Sequence, residues 1–149
     1  MERLPYIDEH AVTVDAEPDS VWRALLETSR RELTGNPPAA LIRLMDLHPS
    51  GRRGDWQGIV RVGDALPGFA VEEVREAEHL RLRGGHRFSS YSLVFDIAPA
   101  PGGRGSRLSA RTYAAFPGLL GRGYKALVID SRAHRLIVRR LLGRIASRA

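Results

Sequence analysis

From Trp56 to Phe116 the hydrophobic residues recur with a period of two, and this constrains the chain more than any other feature. "WQGIVRVGD" places Trp56, Gly58, Val60 and Val62 on one face, and "GFAVEEVREAE" follows it. "HLRLRGGH" comes next, with Leu80 and Leu82 inward and Arg81 and Arg83 outward. "SYSLVFDIAP" and "SRLSARTYAAF" complete the series, separated by the glycine-rich turn "APAPGGRGS". Such close spacing and alternation predict an antiparallel meander with one face toward solvent.

The flanks are helical. A short strand is expected at about His10 to Val14, before a helix with Pro18 in its first turn, where proline is favoured. Val21, Trp22, Leu25 and Leu26 then recur at helical spacing. A second short helix is expected from about Pro38 to Leu47, with Leu41, Leu44 and Met45 inward, and "PSGRRGD" reads as a loop. Beyond Pro117 and Gly118 one long helix is expected from about Leu119 to Ser147, roughly 40 Å at ~1.5 Å per residue. Leu120, Tyr124, Leu127, Ser131, His134, Val138, Leu142 and Ile145 make its apolar stripe. Arg122, Lys125, Arg132, Arg139, Arg140 and Arg144 lie opposite. No repeat, low-complexity tract or linker interrupts residues 1–149, which read as a single domain.

Composition narrows the setting. With no cysteine, disulfides and thiolate-bound metals are excluded. No apolar run approaches the ~20 residues that span a bilayer, and the N-terminus has acids and a proline where a signal peptide needs an apolar stretch. A cytoplasmic location is expected. The net charge of +6 fits acidic partners such as nucleic acid or an anionic membrane surface. Yet 22 of the 23 cations are arginine, Lys125 being the lone lysine, which points to a compositional bias instead.

The element order and several motifs carry a resemblance. "VTVDAEPDSVWRALLE" looks like the opening of the START-like (SRPBCC) superfamily, which includes polyketide cyclases/dehydratases and lipid-transport proteins. "GDALPGFAVEEV", "GGHRFSSYSLVFDI" and "AAFPGLLGRGYKALVIDSRAHRLIVRRLL" resemble an uncharacterised bacterial branch of it. The resemblance implies an α+β helix-grip fold. In that fold a curved antiparallel sheet wraps a long C-terminal helix, two short helices follow the first strand, and a cavity opens between sheet and helix. It implies no single function, so function is argued from the site.

Polar residues on apolar faces are the candidate site. Ser131 and His134 share one helix face, three residues apart. In a solid core each needs a protein partner, whereas in a cavity a ligand or water supplies it. His86 and Tyr91 approach each other if Phe88 to Ser90 form a hairpin bend; they either fit out a pocket or lie at an exposed hairpin. With His134 they are the candidate acid–base residues. Trp56, Phe69, Phe95, Tyr124 and Leu127 are expected to form the apolar wall, or equally a filled core. Arg87 and Arg111 point outward on parity, and His10, His48 and His79 read as loop or strand-end residues. Phosphate-loop, dinucleotide, HExxH and nucleophile-elbow motifs are absent, so no cofactor and no metal are expected.

Three functions follow: a carrier or binding protein for a hydrophobic small molecule (a lipid, isoprenoid or aromatic metabolite), a cyclase/dehydratase-like enzyme, or an arginine-faced interaction module. The third lacks the aromatic residues and motifs of nucleic-acid binding, so no nucleic acid is expected. A monomer and a homodimer both fit.

Overall fold

In the computed structural model, which describes residues 4–33, 39–57, 59–126 and 133–149, the alternation becomes a six-stranded antiparallel sheet. The chain runs through β1 (Tyr6–Val14), α1 (Pro18–Thr28) continued by a π-helical turn (Ser29–Leu33), and α2 (Ala39–Met45). It goes on through β2 (Ala65–Leu66), β3 (Phe69–Arg75), β4 (His79–His86), β5 (Ser89–Pro99) and β6 (Ser106–Ala115), and ends in α3 (Gly118–Lys125) and α4 (Ala133–Arg148). The strands lie side by side in the order β1-β6-β5-β4-β3-β2. This is the α+β helix-grip architecture, with a curved sheet and a C-terminal helix packed on it.

Register explains the two faces. Phe95 pairs with Leu80 and Ala110, and Ile97 with Leu108, so these residues share the inner face and are buried. Val21, Trp22, Leu25 and Leu26 of α1 meet them, as do Val138, Leu142 and Ile145 of α4. On the outer face Arg81, Val94 and Arg111 stand in one cross-strand row, and Val94 is fully buried between the arginine stems.

Three elements differ from expectation. β1 begins at Tyr6 rather than near His10. "WQGIVRVGD" forms no strand among the described residues, and only Ala65–Leu66 extend the sheet past β3. There Asp55 Oδ1 and Asp64 Oδ2 accept the backbone N–H groups of Gln57 and Arg61 at 3.2 and 2.9 Å, turning the chain where a ladder would need those donors. Val62 is consequently exposed, whereas Trp56 and Val60 are buried. Leu44 does not point inward but is 66% exposed. α2 is held by its carbonyls instead, with Arg87 donating from Nε to Leu44 O at 2.9 Å and from its backbone N–H to Met45 O at 2.6 Å. Residues 127–132, within the expected long helix, lie outside the described residues.

Candidate functional site

The inner face is filled at one end and hollow at the other, and residue size accounts for it. In the row beyond Leu82, Leu93 and Thr112, Tyr91 is flanked by Gly84 and Ala114, which supply almost no bulk. A cavity of about 300 Å³ results. Phe69, His86, Ser89, Tyr91, Leu93, Thr112, Ala114 and Phe116 line the sheet side, Tyr124 comes from α3, and His134, Ile137, Val138 and Leu141 come from α4. Ile137 lines it while 61% exposed, which marks the mouth.

The hairpin end is aromatic. The turn falls at Arg87–Phe88, one residue earlier than expected, so His86 pairs with Ser89, and Tyr91 with Gly84. The His86 ring lies 4.8 Å from Tyr124 and 5.9 Å from Tyr91, centroid to centroid. Its Nδ1 accepts the Phe88 backbone N–H at 3.1 Å, and burial lowers its pKa. Tyr91 donates its O–H to the Gly68 carbonyl at 2.7 Å, and burial first, then Tyr124, pushes its ionisation up. Burial raises Tyr124 as well. These groups are therefore a neutral imidazole and two protonated phenols at neutral pH. A Cβ on Gly84 would run into the Gly68 carbonyl, so glycine there lets the β2–β3 turn seat against the sheet and receive Tyr91.

A second polar group lies under α4. His134 Nε2 is 3.1 Å from Thr112 Oγ1 and 3.4 Å from Asp8 Oδ1. The other oxygen of Asp8 is 3.2 Å from His10 Nε2. All three ionisable side chains are largely buried, at 13 to 17% exposure. Asp8 and His10 sit on β1 opposite Thr112 and Ala110, on the inner face, so His10 is no strand-end residue. The signal in the sequence was their alternation with Val12 and Val14, two polar residues leading an inward stripe.

His86, Tyr91 and His134 thus line one cavity, together with Phe69 and Tyr124. Trp56 and Phe95 do not line it: both are wholly buried in the core, Trp56 donating Nε1–H to Arg53 O and Ala65 O at 3.2 Å each. Leu127 and Ser131 lie outside the described residues. Arg111 faces outward, donating to Asp96 at 2.8 Å. His79 bridges Asp96 and Glu73 on that outer face, and His48 stands exposed beside Asp46. Among the described residues no group of three or more His, Cys, Asp or Glu is arranged to hold a metal. No described helix is long and apolar enough to cross a membrane.

No protein-family profile matches the chain, and no curated protein sequence does. Solved structures do resemble it. A Chromobacterium violaceum protein is 16% identical, covers 96% of both chains and superposes with a TM-score of 0.58. One from Nitrosospira multiformis is 14% identical over 94% of this chain and 93% of its own, with a TM-score of 0.57. A conserved Geobacillus kaustophilus protein is 14% identical over 93% and 91%, with a TM-score of 0.54. The likeness spans nearly the whole chain, and what it shows is a shared fold.

Proposed function

We propose that the chain is a START-like binding or carrier protein for a hydrophobic small molecule, held between the sheet and the C-terminal helices. The observation that carries this reading is the cavity of about 300 Å³, apolar over most of its wall, with a few convergent polar groups. That build is typical of small-molecule sites, and the volume sits at the low end of the ~300–1,000 Å³ such sites span. It favours an isoprenoid fragment or an aromatic metabolite over a two-chain lipid. The reading takes residues 1–149 as one binding domain working in the cytoplasm.

A second reading, a cyclase/dehydratase-like enzyme, is favoured by the presence of His86, Tyr91 and His134 in the lining of one cavity. Tyr91 has its hydroxyl proton committed to Gly68, so acid–base work would fall to the two histidines.

Native mass spectrometry of the purified protein, with organic extraction and then titration with 2-acetylnaphthalene, tests the binding reading. The expected result is an apolar passenger or 1:1 uptake of the probe, abolished in Ala114→Phe, which fills the cavity. Absence of both from the wild type, or equal uptake by the filled variant, would overturn it.

A further inference from the structure

The net positive charge of the chain comes from its C-terminal segment. Residues 117–149 hold eight of the 23 cations and one of the 17 acids, a net charge of +7, which leaves the first 116 residues at −1. A preference for arginine over lysine sets which cation is used, not where it stands. On α4 the cations flank two exposed aliphatic side chains. Leu136 is 52% and Ile137 61% exposed, while Val138, Leu142 and Ile145 of the same helix are buried. Arg139 and Arg140 follow Leu136 by three and four residues and so share its outward face, and Arg135 stands one turn before Arg139. All three arginines are exposed. Glu32 engages Arg144 and Arg148, but Arg135, Arg139 and Arg140 meet no carboxylate among the described residues. Ile137 also lines the cavity, so this face adjoins its mouth.

From this we propose that α4 docks the cavity mouth on an anionic lipid bilayer, with Arg135, Arg139 and Arg140 on headgroup phosphates and Leu136 and Ile137 at the acyl boundary. The inference deepens the binding reading above and rests on it. A guanidinium grips a phosphate by two parallel hydrogen bonds, and each cation at an anionic membrane surface contributes about fivefold in affinity. Two aliphatic side chains gain little from a nucleic acid, and α4 has no Phe, Tyr or Trp to stack on a base. A bilayer supplies an apolar layer for them beside its phosphates. It is also where an apolar guest resides, next to the mouth through which it would pass.

Cosedimentation with vesicles tests this, using phosphatidylcholine alone and phosphatidylcholine mixed with phosphatidylglycerol. The wild type should bind the mixed vesicles and not the neutral ones, and should let go as salt is raised and the attraction is screened. Arg139→Glu/Arg140→Glu should weaken binding by at least about twentyfold. Arg104→Glu/Arg107→Glu removes the same charge from the β5–β6 hairpin, at the far end of those strands from the cavity, and should cost less than about threefold. Leu136→Ser keeps every charge and should cost about fivefold through lost apolar burial. Uptake of 2-acetylnaphthalene should be unchanged in all three variants, since none of these side chains lines the cavity. No binding to mixed vesicles at low salt, equal binding to neutral ones, equal losses from the two charge-reversed variants, or binding of an RNA duplex in place of vesicles would overturn the inference and leave the cavity standing. Failure of the wild type to take up 2-acetylnaphthalene would overturn the binding reading itself.

Discussion

Gly84 has room for a hydrogen atom and nothing larger. Its neighbour across the inner face is backbone, the Gly68 carbonyl, which also receives the Tyr91 hydroxyl at 2.7 Å. Backbone cannot rotate aside as a flexible side chain would, so Gly84→Ala has to displace the β2–β3 turn or break that hydrogen bond. A loss of about 2–4 kcal/mol is expected, at the upper end for single substitutions. Gly123 makes the contrast, because a Cβ there meets open space on an exposed turn of α3. Gly123→Ala should stabilise by about 0.5–1 kcal/mol through helix propensity. Urea midpoints of the two variants, one falling and one rising, check both. The sequence carries both glycines without distinguishing them, since what separates them is the distance to a chain segment sixteen residues away in one case and to solvent in the other.

Three strands meet through one carboxylate on the outer face. Asp96 on β5 accepts from Arg111 on β6 and pairs with His79 of β4 at 2.7 Å. Burial works to raise its pKa, but the hydrogen bonds and charges of His79 and Arg111 outweigh burial and hold it below the ordinary value. The folded carboxylate therefore keeps its charge to lower pH than the unfolded one. The stability it adds is complete above the ordinary carboxyl pKa of about 3.9 and is lost as pH falls through the depressed value. Asp96→Asn should flatten the acid limb of stability below about pH 4, measured as thermal midpoints from pH 6 to 2.5; an unchanged limb would place the acid sensitivity elsewhere. At this scale the sequence was legible wherever alternation coincided with available ladder partners. β3 to β6 and α1 follow the apolar pattern closely because their inward core residues have cross-strand or helical neighbours to pack on. The pattern misled at Trp56 to Asp64, where side-chain carboxylates captured the amides a strand needs. It was silent about the Asp8–His134 pair, because residues 126 positions apart meet only once β1 has docked on β6 beneath α4.

Taken whole, the molecule divides along its inner face into a filled half and a hollow half. Phe95, fully buried between α1 and the sheet, belongs to the first; Phe69, partly buried on the cavity wall, belongs to the second. Phe95→Ala should cost about 3–5 kcal/mol, as large-to-small core substitutions do. Phe69→Ala, which enlarges a space already present, should cost less than half of that while weakening probe binding. Guanidinium unfolding beside titration of both variants checks the division, and equal stability losses would refute it. Aromatic residues alone do not reveal which half they occupy, so the candidate wall divided in the structure: Phe69 and Tyr124 on the cavity, Trp56 and Phe95 in the core. The same division decides what light can report. Both tryptophans, Trp22 and Trp56, are buried in the filled half and neither lines the cavity. Their emission is a gauge of whether the protein is folded and is poorly placed to sense occupancy by direct contact. The chromophores that touch the hollow are Tyr91 and Tyr124, so a guest announces itself in the near-ultraviolet tyrosine bands while the tryptophan signal stays still.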